Sequence, residues 1–257
     1  MSKIDKGDLL SGSDIPFEQI CTLRAVKLKD IRPGSGIGFA SYYQHIQLLS
    51  LDEEEAFSAM GLAKEWQELP SGQRQAYPLF AVLIASPPLR ELLGRALSFF
   101  VCERVEYSEK AAGFLLYRPA GPQDPPLCVG RIDRENYDRV RDGILQMNGL
   151  SSGKTGPLTF QNQKAREIYE KVQRHRRRAD KRRRQDGSIS LPNIIGAVAA
   201  RHPGYSLLNI WELTIFQLYD QFARLNRYHQ VQVSAQRWAA WGKDPFDFAL
   251  WYKDIDP

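Results

Sequence analysis

The sequence has few cysteines and no long apolar run. Its 257 residues include three cysteines, at positions 21, 102 and 128, which are too few and too far apart for a disulfide framework or for the paired spacing of a zinc site. The longest uninterrupted apolar stretch covers the seven residues 79–85, whereas about 18 are needed to cross a bilayer. The polar residues 1–7 also lack the apolar segment of a signal peptide. We therefore expect an intracellular protein with free thiols and no membrane partner.

The sequence also lacks the residue patterns of the usual catalytic, metal and cofactor sites. Its four histidines, at positions 45, 175, 202 and 229, show no H-x-x-x-H spacing and no associated set of carboxylates. The glycine-rich residues 34–38 miss the spacing of a dinucleotide-binding loop, and no nucleophile elbow is present. We therefore predict no catalytic residue, no metal site and no cofactor, and we expect that the protein is not an enzyme.

Positive charge is concentrated in one segment of an otherwise mildly acidic chain. The formal net charge is +5, but residues 164–184 contain 11 Lys or Arg and three acids, a local net charge of +8, so the remaining residues sum to −3. The apolar stripe of this predicted helix stops halfway. Its second half is the basic segment, which consists of Arg174, Arg176, Arg177, Arg178, Lys181, Arg182, Arg183 and Arg184.

The basic segment allows three interpretations: a solvated face, a phosphate-binding arm, or a docking segment for an acidic protein partner. Domains that recognise bases in a groove of a nucleic acid are broadly basic, whereas this chain is acidic outside the basic segment. No aromatic residues are interleaved with the arginines to stack on bases. Any nucleic-acid binding through this segment would therefore be independent of base sequence.

Hydrophobic periodicity predicts a mixed N-terminal part of short strands and helices. Residues 4–28 alternate short apolar groups with turn residues, which favours short strands. Apolar residues at steps of three and four predict a half-buried helix after residue 38. Ser50 and Glu53 have the spacing of a capping box, which predicts that the next helix begins there and runs to about residue 67.

The following residues predict two core helices, a small antiparallel meander and one further helix. Residues 79–85 and 89–102 are apolar on too many sides for surface helices, so they are core candidates. A helix with Tyr137, Val140 and Ile144 on one side follows the meander. The three predicted strands of the meander are residues 104–107, 113–117 and 127–130.

Composition predicts a domain boundary near residue 150, because residues 147–157 are rich in Ser, Gly, Asn and Thr, as is typical of a linker. We predict an N-terminal α+β domain at residues 1–150, a linker and basic helix at 151–189, and a C-terminal helical, aromatic-rich region at 190–257. The predicted fold class is therefore α+β and helix-rich.

The strongest periodic signal lies in the C-terminal region. Six bulky apolar residues are spaced 3, 4, 3, 4 and 3 positions apart, as on one side of a helix that packs against another helix: Leu208, Trp211, Ile215, Leu218, Phe222 and Leu225. This apolar stripe is either core or a partner-binding face. Six aromatic residues between positions 238 and 252 either fold back over the stripe or form an exposed adhesive surface.

Two segments and the joint between them resemble a known class of phage protein. The segments are IDKGDLLSGSDIPF at residues 4–17 and WELTIFQLYDQF at residues 211–222, and the arginine-rich joint lies between them. Together they resemble tail assembly chaperones of long-tailed phages and prophages, which are encoded just upstream of the tape measure protein. The long N-terminal α+β portion departs from the usual pattern of these chaperones, which leaves open a structural tail or connector component.

The resemblance implies a non-enzymatic protein that works in the cytoplasm of the infected bacterial host. Its implied partners are the tape measure protein, whose amphipathic helices it would bind before the tail tube covers them, and the tail tube protein; a homo-oligomer fits the same role. Helix-in-groove binding needs an exposed apolar seam. We predict that this seam consists of Trp211, Ile215, Leu218, Phe222 and Leu225. The competing interpretation is a sequence-nonspecific nucleic-acid-binding phage protein that uses the basic segment.

Overall fold

The computed structural model describes residues 3–74, 76–120, 125–150, 190–242 and 246–252. Within these ranges, helices and two small antiparallel sheets form an α+β fold with a helical C-terminal region, so the predicted fold class is confirmed. The chain divides into two compact units, which are taken one at a time below. The first unit contains residues 1–152 and 214–216, and the second unit contains residues 153–213 and 217–257.

The described α-helices are numbered here in chain order. They are α1 Lys6–Ser11, α2 Phe39–Leu49, α3 Glu53–Ala59, α4 Ala63–Glu68, α5 Ser71–Arg74, α6 Leu79–Ala85, α7 Pro87–Phe100, α8 Tyr137–Met147, α9 Leu191–Arg201 and α10 Ile215–Trp241. Short 3₁₀ helices cover Leu28–Ile31, Ile210–Glu212 and Phe248–Trp251.

The N-terminal residues of the first unit form helix α1 where a strand was predicted. The Asp5 carboxylate accepts a hydrogen bond from the Gly7 amide at 2.7 Å, and Gly12, with a φ of 68°, ends the helix in the left-handed conformation. Local capping decides the conformation here because the apolar pattern is too short to do so. The strand prediction is correct for the residues that follow, where β1 Ile15–Phe17 pairs antiparallel with β2 Cys21–Leu23.

The meander of the first unit has the predicted three antiparallel strands. They are β3 Arg104–Ser108, β4 Gly113–Arg118 and β5 Leu127–Ile132, in the order β3-β4-β5. Aromatic rings join this sheet to the helices, because Phe80 of α6 lies 6.4 Å from Phe114 of β4 and 5.1 Å from Tyr137 of α8, measured between ring centroids.

Helices α6 and α7 contribute much of the core of the first unit, as predicted. The buried side of α7 consists of Leu93, Ala96, Leu97 and Phe100. Full burial of a large apolar side chain contributes about 1.5–3 kcal/mol. The other side of α7 carries Arg90, Glu91 and Arg95, so α7 separates the core from a polar surface.

Candidate partner-binding surface

The six residues of the predicted apolar stripe do not lie on one helix. Helix α10 begins only at Ile215, so Leu208 and Trp211 precede it. The backbone is extended just before the helix, because Thr214 forms a β-bridge with Lys27 and the Ile215 amide donates to the Val26 carbonyl at 3.1 Å. A helix cannot continue through residues whose backbone pairs in this way, so the prediction of one continuous helix from residue 208 is wrong.

The predicted partner-binding residues differ in how much surface they expose. Ile215 and Leu218 are fully buried, whereas Trp211, Phe222 and Leu225 are half-buried. The Trp211 indole Nε1–H donates to the Leu207 carbonyl at 2.9 Å. In this conformation, only the three half-buried residues have side-chain surface to offer a partner. The assignment of the five residues to a binding seam remains a prediction.

The basic segment lies outside the described residues. All eight of its members fall between residues 151 and 189: Arg174, Arg176, Arg177, Arg178, Lys181, Arg182, Arg183 and Arg184. Its three interpretations therefore stay predictions.

Large aromatic side chains are exposed at the end of the second unit. We define the aromatic surface as five residues of α10 and of the chain that follows it. Their exposed fractions are 49% for Tyr228, 41% for Trp238, 80% for Trp241, 50% for Trp251 and 61% for Tyr252. Large exposed apolar patches are uncommon on monomeric proteins and often mark interaction sites.

The aromatic surface is assembled by the chain turning back along α10. The ring of Phe246 lies 6.3 Å from that of Trp238, and the ring of Trp251 lies 6.3 Å from that of Tyr228. The Asp247 carboxylate accepts a hydrogen bond from the Ala249 amide at 2.9 Å, which caps the 3₁₀ helix Phe248–Trp251. The ring contacts of Trp251 and Phe246 lie at Tyr228 and Trp238, beyond the apolar stripe, which ends at Leu225. The aromatics therefore turn back along α10 but not over the stripe for which the fold-back was predicted, and the alternative of an adhesive surface stays a prediction.

The helical part of this surface also has a periodic sequence signal, although its residues are not among the five predicted for binding. Tyr228, Val231, Ala235 and Trp238 are spaced 3, 4 and 3 positions apart, the same period as the stripe before them. They therefore share one side of α10. Residues 221–243 contain three arginines, one lysine and no acidic residue, but Arg224 bonds to Asp220 at 2.6 Å, and Asp247 caps the 3₁₀ helix that follows.

The described residues contain no group of three or more His, Cys, Asp or Glu side chains able to hold a metal ion. Among the helices described, none is both long enough and apolar enough to pass through a bilayer.

Comparison with known protein families gives a match that covers the aromatic surface. Residues 181–256 match the family model described as YomV second domain, a family associated with phages and prophages. The matched residues include all of α10 and the 3₁₀ helix Phe248–Trp251. No curated protein and no solved structure matches the chain. The second unit is therefore similar to a phage-associated domain.

Proposed function

We propose that the protein is a phage tail assembly chaperone that binds the tape measure protein, and tail tube subunits after it, in the cytoplasm of the infected bacterium. It acts by binding and not as an enzyme. The single observation that carries the proposal is the aromatic surface, which lies within the segment similar to a phage-associated family.

The residue types of the aromatic surface suit protein binding. Tyr and Trp are enriched among the residues that contribute most to interfaces, since each offers a large apolar area together with one polar group. Burying one such side chain against a partner contributes about 1.5–3 kcal/mol before the cost of ordering the partner. Trp241, with the largest exposed fraction of the five, has the most area to bury.

Weak binding by one copy is compatible with the role. A tape measure protein presents a long series of amphipathic helices, so many copies could bind along one chain. Each contact can then be weak while the copies together stay bound to the tape measure protein, because linked binding events act at a high effective concentration. Weak single contacts also allow tail tube subunits to displace the chaperone.

Capture of the tape measure protein tests this proposal. The chain is co-expressed with the tape measure protein encoded in the same phage genome, and the tape measure protein retained on the tagged chain is quantified. The double variant Trp238→Gln with Trp241→Gln should reduce retention at least tenfold. Leu127→Gln, which changes an exposed leucine on β5 of the first unit, is the matched control and should retain as much as the wild type.

Two results would contradict the proposal in different ways. If the wild type retains no tape measure protein, the assigned partner is wrong. If the double variant retains as much as the wild type, the partner is right and the aromatic surface is not the site. Mass spectrometry of purified phage particles then separates a chaperone from a structural tail or connector component, since a chaperone should be absent from them.

A further inference from the structure

A groove lined by both charged and apolar side chains lies on the first unit, on the side of α7 that faces away from the core. Its volume is about 960 Å³, near the upper end of the range of about 300–1,000 Å³ typical of small-molecule sites. Arg90, Glu91, Arg95 and Ser98 of α7 line it, at positions that share one side of the helix. His45 of α2 and Tyr107 of β3 line it from the other elements.

His45, which lines this groove, is a buried polar side chain with an unused hydrogen-bonding atom. The residue is 8% exposed, and its Nδ1 is buried without a hydrogen-bond partner in the part of the chain that the structure describes. The imidazole ring packs 6.0 Å from Phe99 and 6.4 Å from Phe100, between centroids. Burial, together with the positive charge of Arg95, lowers the pKa of His45, so the ring is neutral at neutral pH.

A neutral imidazole has one N–H donor and one lone pair, which defines what His45 can offer to a ligand. Because Nδ1 is the buried nitrogen, Nε2 is the nitrogen left for the groove. Placing the proton on Nε2 leaves only a lone pair on the unpartnered Nδ1. His45 would then present an N–H donor, which pairs with an oxygen acceptor of the ligand.

The charged side chains around His45 favour an anionic acceptor. The groove has two guanidinium groups, of Arg90 and Arg95, and one carboxylate, of Glu91. Arg95 and Glu91 lie 3.5 Å apart, but their side chains are 65% and 73% exposed, and an exposed ion pair of this kind is readily exchanged. The Arg90 guanidinium lies over the ring of Tyr107, 4.6 Å from its centroid, next to the apolar side of the groove.

We propose that this groove binds an aromatic carboxylate, a ligand class distinct from the tail proteins proposed as partners. Arg95 and the Nε2–H of His45 bond to the carboxylate of the ligand, and Tyr107 and Phe99 contact its ring. The juxtaposition of a buried, unpartnered imidazole with two guanidinium groups and aromatic walls in one groove supports the assignment.

Titration of the isotope-labelled full chain with benzoate tests the proposal. The imidazole NMR signals of His45 should shift saturably with benzoate, with a Kd in the millimolar range expected for so small a probe. Benzamide has the same shape without the charge and should cause no saturable shift. Both titrations are carried out at pH 7.5, above the ordinary histidine pKa of 6.5, from which burial and Arg95 lower the pKa of His45.

Substitutions of two exposed residues should change the Kd for benzoate in opposite directions. Arg95→Gln should weaken benzoate binding at least tenfold, because it removes the guanidinium that bonds to the carboxylate. Glu91→Gln should tighten binding several-fold, because it removes the carboxylate that competes for Arg95. Arg104→Gln, an exposed arginine outside the groove, is the matched control and should leave the Kd unchanged.

The backbone amide spectrum of each variant establishes that it is folded before its Kd is compared. Equal shifts with benzoate and benzamide would overturn the proposal, since the groove would then not recognise the carboxylate. An unchanged Kd for folded Arg95→Gln would also overturn it. Neither result affects the capture of the tape measure protein, which depends on the second unit.

Discussion

The two ends of α10 have the same apolar spacing and opposite environments. Near its beginning, Ile215 and Leu218 are fully buried, whereas near its end Trp238 and Trp241 are exposed. The two stripes also differ in residue type. The first is aliphatic apart from its tryptophan and phenylalanine. The second has tyrosine and tryptophan, whose polar groups tolerate water. Within α10, spacing therefore predicts which residues share a side of the helix, but it does not show whether that side is covered.

Buried polar side chains of the first unit differ in the same way from the exposed aromatic surface. Arg141 of α8 is buried, and its guanidinium donates to the carbonyls of Leu49 and Leu51, the latter at 2.9 Å. Glu103 is buried and is bonded to the Thr22 amide and to Arg118. These hydrogen bonds are made within the chain, although Arg141 Nη1 is buried without a hydrogen-bond partner among the described residues. Substitutions of Arg141 and Glu103 should therefore affect stability first.

The largest expected effect is at the buried beginning of α10. Leu218→Ala should reduce the free energy of unfolding by about 2–5 kcal/mol, because it removes a fully buried side chain and leaves a cavity. Urea unfolding followed by circular dichroism measures the change. A loss below about 0.5 kcal/mol, the scale of a surface substitution, would show that this part of the stripe is not core and would restore it as a candidate seam.

This stripe also shows how far sequence reasoning extends. The helical period is correct from Ile215 onwards, but the pairing of Thr214 with Lys27 interrupts it, and such a contact between residues far apart in sequence leaves no local pattern. The capping box shows a different error, because two overlapping local patterns compete. Ser50 and Glu53 have the required spacing, yet Ser50 is occupied in ending α2, so Asp52 caps α3 in its place through the Glu55 amide at 2.8 Å.

The meander and the core helices could be predicted because each depends on a local pattern. Strand residues there alternate with turn residues, and α6 is a continuous apolar run. The groove of the first unit could not be predicted in this way. His45 and Tyr107 are far apart in sequence, and only the packing of α2, α7 and β3 brings them to the same groove.

The second largest effect should come from Arg141. Arg141→Met keeps the aliphatic length but leaves the carbonyls of Leu49 and Leu51 without these donors. An unsatisfied buried polar group costs about 1–3 kcal/mol. Leaving both carbonyls without a donor should therefore reduce the free energy of unfolding by about 2–3 kcal/mol. Urea unfolding measures it, with Arg139→Met, an exposed arginine of the same helix, as the control. Equal stability of the two variants would contradict the role of Arg141 in bonding these two carbonyls.

A smaller effect with a defined pH dependence is expected for Glu103. Burial by itself would raise the pKa of Glu103, but hydrogen bonds from the Thr22 amide and from Arg118 outweigh burial and lower the pKa below its ordinary value of 4.5. The ionised carboxylate therefore contributes stability above the unfolded pKa, and this contribution is lost as the pH falls through the folded pKa. Glu103→Gln should cost about 1.5–2 kcal/mol at pH 7.

The difference between wild type and Glu103→Gln should shrink as the pH falls below 4.5, because the wild-type carboxyl is then protonated as well. Thermal unfolding between pH 7 and pH 3 measures it, within the range where both proteins are folded. A difference that stays constant with pH would contradict the ionised, hydrogen-bonded state of Glu103 and assign the loss to packing alone.

The smallest effect on stability is expected at the exposed end of α10. Trp241→Gln should change the free energy of unfolding by less than about 0.5 kcal/mol, because a largely exposed side chain loses little on truncation and glutamine is a good helix former. The same urea titration as for Leu218→Ala measures it. A loss comparable to that of Leu218→Ala would mean that Trp241 is covered in solution by the chain or by a second copy. Stability that depends on protein concentration would identify the second copy, since dissociation then accompanies unfolding.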